Sequence, residues 1–275
     1  MSAADGLWRG TDRVRFFCRH LVGLCIAFEH HDDEQTGHTP RFAAYAGTLI
    51  RIRDAYCFLT AGHILREVEQ ALQSDNVDIK SAVLADTFGR GRFKDHPIPF
   101  DLKSASIFYI DDDDEGLDFG VMLLQPYYIR LLATNGIVAL EEKNWAHQAS
   151  VRFDGYAMLG LPEEYTSAFV SASGDGVVSP TMFAVQRVAP PLAGGRSTKF
   201  ERFVAQVDPA IGLKSIKGMS GGPIFGFNLE ERHPRYWVVA LQSAWSPARG
   251  LVFGCPLPIL ASLMTAWSGE ATLSA

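Results

Sequence analysis

Ile216-Lys217-Gly218-Met219-Ser220-Gly221-Gly222-Pro223-Ile224-Phe225 is the stretch on which the reading of this chain turns. A serine stands among small residues, and a proline and an apolar run follow it. Glycine at 218, 221 and 222 admits backbone conformations that a side chain forbids, which suits a loop aiming its N–H groups at one point. Pro223 fixes φ and removes a donor. Ile224-Phe225 opens what reads as a buried strand. Taken alone, the stretch is an ordinary glycine-rich turn between strands.

Two other stretches change that reading. Cys57-Phe58-Leu59-Thr60-Ala61-Gly62-His63 is an apolar run ending in a histidine, and Gly116-Leu117-Asp118-Phe119-Gly120-Val121 sets an aspartate at the opening of a hydrophobic strand. The order is His, Asp, Ser, with long gaps between. Here the chain resembles the trypsin-like (chymotrypsin-fold) serine peptidases. Thr60-Ala61-Gly62-His63 is similar to that family's T-A-[AG]-H, Asp118-Phe119-Gly120-Val121 to its D-[IL]-[AG]-[LV], and Gly218-Met219-Ser220-Gly221-Gly222-Pro223 to its G-[DN]-S-G-G-P. The resemblance runs over residues 40–260. It implies an all-β chain of two six-stranded antiparallel barrels with a C-terminal helix. It divides the single domain into an N-terminal barrel over 13–125 carrying His63 and Asp118, a linker over 126–148, a C-terminal barrel over 149–255 carrying Ser220, and a helix over 256–268.

Bulk properties agree with a folded chain. Of 275 residues, 47% are hydrophobic and 20% charged, the balance of a globular protein. A formal net charge of −6 argues against a general nucleic-acid partner. No apolar run is long enough to span a bilayer. The opening Met1-Ser2-Ala3-Ala4-Asp5-Gly6 lacks a basic-then-apolar leader, so a cytoplasmic location is the expectation. Cys18, Cys25, Cys57 and Cys255 read as reduced core residues, and Ile64 stands where secreted relatives carry a cysteine after the histidine. No cofactor or metal is expected. Glu29-His30-His31-Asp32-Asp33-Glu34 reads as a polar hairpin loop, and Asp111-Asp112-Asp113-Asp114-Glu115 as a solvated acidic loop without the alternating carboxylates of a calcium loop.

Along the chain, alternation predicts strands over 14–28, 42–52, 55–59, 79–84, 104–110, 151–158, 168–171, 177–188, 200–207, 223–227 and 236–243. Apolar spacing predicts short helices over 64–72, 129–133 and 259–267.

Hydrolysis of a peptide bond by serine needs a hydroxyl, a base, a group that orients the base, and donors for the oxyanion. The resemblance puts Ser220, His63 and Asp118 in the first three roles and the N–H groups of Gly218 and Ser220 in the fourth. Each has a plainer reading: His63 as a structural histidine, Asp118 as a turn cap. Gly218-Met219-Ser220-Gly221-Gly222 also matches G-x-S-x-G, but an α/β-hydrolase needs its acid and histidine after the serine and a helix at once, and Pro223 follows instead. Val239-Ala240-Leu241-Gln242-Ser243-Ala244-Trp245 resembles the family strand whose serine bonds the triad aspartate, which implies a Ser243–Asp118 bond and a substrate-pairing edge at Ser243, Ala244 and Trp245. Lys214, six before the serine, would by family position floor the specificity pocket and favour an acidic side chain, with Lys217 as another cation near the nucleophile. Met219 replaces the aspartate that zymogens need, so activation by N-terminal cleavage is not expected; constitutive activity or a regulatory protein partner is. The chain reads as a serine endopeptidase acting through an acyl-enzyme on a protein or peptide substrate, in limited intracellular proteolysis. The alternative is a catalytically silent peptide-binding module of the same fold.

Overall fold

The computed structural model describes residues 12–31, 41–86, 97–146, 153–165, 178–189, 198–228 and 235–264. Strands β1 (Leu21–His30), β2 (Arg41–Ile52), β3 (Ala55–Thr60), β4 (Val77–Ala85), β5 (Ile98–Pro99), β6 (Ile107–Asp112) and β7 (Leu117–Leu123) form one antiparallel sheet, in the order β5-β4-β1-β2-β3-β7-β6. Strands β8 (Gly155–Gly160), β9 (Thr181–Arg187), β10 (Phe203–Val207), β11 (Pro223–Asn228), β12 (Arg235–Ser246) and β13 (Leu251–Pro256) close into a barrel, in the order β10-β13-β12-β11-β8-β9. Helices are α1 (Asp12–Phe17), α2 (Gly62–Gln73), α3 (Pro126–Thr134) and α4 over 257–264.

One of the two expected barrels is therefore closed. The other half is a seven-stranded sheet that no strand pair closes among the described residues. Its edge strand β5 is two residues long, follows Pro97 and ends in Pro99, and neither proline has an N–H to give to a ladder. Helix α2 instead packs on β6 and β7 and reaches β4.

Among the described residues, three apolar clusters are the largest. Leu24, Leu49, Phe58, Leu65 and Met122 fill the space between the open sheet and α2. Met158, Phe183, Ile224 and Val252 fill the barrel. The third joins the halves: Leu21, Leu59 and Phe119 pack with Leu159, Phe225, Leu241 and Cys255. Each such side chain contributes about 1.5–3 kcal/mol when fully buried, so the interface between the halves is as much core as either interior.

The expected strand over 14–28 is wrong in its first part. Residues 12–20 are helical, and β1 begins only at Leu21. Phe17 explains the difference. Its ring lies 4.8 Å from that of Phe225 and 5.0 Å from that of Tyr236, so the segment is seated on the barrel and not in the sheet. His20 ties the same junction: its Nδ1 donates to the carbonyl of Val138 (2.6 Å), and its Nε2 accepts from the hydroxyl of Tyr236 (2.9 Å). The predicted strand over 104–110 starts later, at Ile107, after a turn of 3-10 helix. The strand expected over 168–171 lies outside the described residues.

Candidate active site

Strand β3 carries Cys57, Phe58 and Leu59 into the core, and the hydroxyl of Thr60 donates to the carbonyl of Ala46 (2.7 Å). The chain then turns at once into α2. A Cβ at Gly62 would lie 2.0 Å from the carbonyl oxygen of Ile110, so only glycine lets the helix begin against β6. His63 thus sits in the first turn of a helix, not at a strand end.

Helix α2 has no side-chain cap of its own at Ala61. Asp118, on β7, supplies one from across the sheet: its Oδ1 accepts the backbone N–H of His63 (2.9 Å). Its other oxygen, Oδ2, lies 2.8 Å from Nδ1 of the same residue. A carboxylate only accepts, so in the neutral ring Nδ1 carries the hydrogen and Nε2 keeps a lone pair. The plain reading of Asp118 as a cap and the chemical reading as an orienting group are both met by one side chain. Asp118 is 6% exposed, and the His63 side chain 25%. Burial pulls the His63 pKa down. The bond and charge of Asp118, with the charges of Glu67 and Asp111, outweigh it and leave the imidazole above its ordinary value.

The serine loop comes from the other half. Gly218 (φ +86°) and Gly221 (φ +80°) both lie in the left-handed region. A Cβ at Gly221 would lie 2.0 Å from Thr60 Oγ1 and 2.5 Å from the carbonyl oxygen of Ala46, so the loop abuts the residues that lead into His63. Met219 is fully buried against Gly160 and anchors the loop by packing. The N–H groups of the loop differ in their commitments. Met219 donates to Ile216, Gly221 to Gln242 and Gly222 to Met219. Among the described residues, no backbone carbonyl accepts from Gly218 or Ser220.

Beyond Ser220, β11 pairs with β12 only as far as Leu241, and the loop extends that ladder by one residue, Gln242. From Ser243 to Ser246, β12 has β13 alone beside it among the described residues. Ser243, Ala244 and Trp245 therefore border a free strand edge next to the serine loop.

Two expectations need correction. Ser243 donates its hydroxyl to the carbonyl of Phe253 (3.3 Å) and not to Asp118. The ladder slips at that residue, between Gln242 and Ala244, and the thiol of Cys255 stands beside both groups. Lys214 is exposed, its N–H donates to Glu164 Oε1 (3.2 Å), and it floors no desolvated pocket. The cost of a buried lone ammonium is the physical reason. Lys217 is likewise at the surface, paired with Glu163 (3.0 Å).

Sequence reading missed the role of the acidic run. Arg66 pairs with Asp111, Arg202 with Asp113 (3.0 Å) and Lys199 with Glu115 (2.5 Å), so the β6–β7 turn is bound to α2 on one side and to the segment before β10 on the other. Only the tertiary contacts reveal this, since no cation is near in sequence. No group of metal-ligating residues occurs among the described residues, and no helix there is long and apolar enough to cross a membrane.

No family model matches the chain, and no curated protein matches it in sequence. Solved structures do. A thermostable serine protease, AL20, from an extremophilic microorganism is 14% identical over 88% of this chain and 92% of its own, with a TM-score of 0.48. The protease Anisep from Arthrobacter nicotinovorans is 12% identical over 87% of this chain and 90% of its own, with a TM-score of 0.44. The likeness is one of fold.

Proposed function

We propose that this chain is a serine endopeptidase that works through an acyl-enzyme. The observation that carries the reading is the 2.8 Å contact of His63 Nδ1 with buried Asp118, set beside a loop whose N–H groups at 218 and 220 donate to no backbone carbonyl among the described residues. A peptide strand adds to the free edge at Ser243–Trp245, which lays its scissile carbonyl over Ser220. His63 Nε2 takes the hydroxyl proton as Oγ attacks the carbonyl carbon. The N–H groups of Gly218 and Ser220 hold the oxyanion. His63 then passes the proton to the leaving amine, and water repeats the sequence on the acyl-enzyme. Asp118 keeps the ring in the tautomer that presents a lone pair and stabilises the imidazolium. We extend the proposal to limited cleavage of a protein substrate in the cytoplasm, with the loop ready formed by the packing of Met219.

Labelling the purified protein with a fluorophosphonate and mapping the adduct tests the reading. Modification of Ser220, absent in Ser220→Ala, is the expected result. The labelling rate should rise with pH through a midpoint above 6.5, because the imidazole is held above its ordinary value and must be neutral to act. A folded protein that binds peptides and takes no label would be the silent module instead.

A further inference from the structure

The β6–β7 pair sets Asp111 opposite Asp118 and Tyr109 opposite Gly120. Residues directly opposite share a face, so the two carboxylates stand side by side, an arrangement that by itself disfavours the fold. Helix α2 covers this face. Gly120 gives it room, since a Cβ there would lie 2.8 Å from Leu65 Cγ. His63, Arg66 and Glu69, three apart on one stripe of the helix, each find a partner: His63 meets Asp118, Arg66 pairs with Asp111, and Glu69 accepts from the hydroxyl of Tyr109 (2.8 Å).

We propose that Asp111 is a positioning residue for His63, bound through Arg66 one turn along α2 and set opposite Asp118 across the β6–β7 pair. The inference rests on reading His63 as the base. An ion pair with one member 44% exposed matters little as stability, so its place matters more than its strength. Asp111 adds negative charge that acts on the imidazole, and Arg66 offsets part of it while tying the helix turn after His63 to β6. The charges acting on His63 are Asp118 from β7, Asp111 from β6 and Glu67 from α2 itself, with Arg66 of α2 bound to Asp111. On β4, also in contact with α2, Asp78 and Lys80 pair with each other (2.7 Å); Tyr45 of β2 feels the charge of Glu67; and Cys255 of β13 is an uncharged thiol pushed up to about 12 by burial.

The test titrates the His63 ring by NMR in the intact protein, with the resonance assigned by its loss in His63→Ala. Asp111→Asn should lower the midpoint by about half a pH unit, and Arg66→Gln should raise it by a similar amount. Tyr109→Phe breaks the neighbouring contact without changing charge and should leave the midpoint in place. Shifts of opposite sign are what a merely structural loosening does not give. No shift in either charge variant, or shifts of the same sign, overturns the proposal, and Arg66→Gln decides it if Asp111→Asn does not fold. The fluorophosphonate labelling rate, measured in parallel, should move its acid limb with the NMR midpoint. Midpoints that shift in a wild-type background that takes no label would sink the base reading and leave the electrostatic role of Asp111 standing.

Discussion

His63 with Asp118, and Ser220 with its loop, are positioned by opposite means. The first pair is held by polar bonds: two contacts of 2.9 and 2.8 Å from one buried carboxylate fix both the backbone and the ring of His63. The second is held by packing and by the absence of side chains: a fully buried Met219, and glycines that leave no room for a Cβ. A polar device fixes protonation and orientation together, so disturbing it should change chemistry before stability. A packing device has no charge to lose, so disturbing it should cost stability and geometry at once.

The largest expected effect breaks the polar side of this contrast. Asp118→Asn should lower the rate of peptide cleavage or of fluorophosphonate labelling by about four orders of magnitude, because an amide favours the wrong tautomer. The melting temperature should move little beyond the loss of one helix cap. A rate within tenfold of wild type would end the contrast.

Gly221→Ala breaks the packing side. A residue with φ +80° and a Cβ 2.0 Å from Thr60 Oγ1 should lose about 2–5 kcal/mol in urea unfolding. Activity should fall with it, because the N–H of Ser220 and the strand leading to His63 move together.

Away from the site, His20 sharpens the comparison, since it is a histidine held for structure alone. Burial lowers its pKa to about 4, the Val138 carbonyl raises it slightly against that, and Arg19 lowers it. The folded state therefore binds fewer protons than the unfolded one between the ordinary 6.5 and about 4, and stability is lost as pH falls through that window. The loss should reach about 3 kcal/mol. Asp86, raised to about 6 by burial against the bond from Asn135, works the other way and offsets part of it. Unfolding at pH 7 and pH 4, in wild type and Asp86→Asn, should show the larger acid loss in the variant.

The smallest effect concerns the acidic turn. Arg202→Gln removes the partner of Asp113, which is 87% exposed, and should cost under about 1 kcal/mol, less still in high salt. Reductant should leave the melting temperature unchanged, since Cys18, Cys25, Cys57 and Cys255 are all buried thiols with no disulfide between them.

The strand periodicity, the glycines around Ser220 and the motif carrying Asp118 were legible in the sequence because each is a local demand. Alternating side chains need a half-buried strand, and a residue at φ +80° needs glycine. The β content follows from such demands, whereas the pairing of His63 with Asp118 was implied only by the motif resemblance and is made by the tertiary fold. What needed tertiary structure is whatever depends on a partner distant in the chain. Phe17 made residues 12–17 a helix because the barrel face of Phe225 and Tyr236 was there to receive it. Lys214 went to the surface, and Ser243 turned to Phe253 where the ladder slips. The run 111–115 became a clasp because Arg66, Lys199 and Arg202 converge on it. Sequence fixes what a residue can do within its own few neighbours. Burial, register and charge pairing are set by surfaces that meet only on folding.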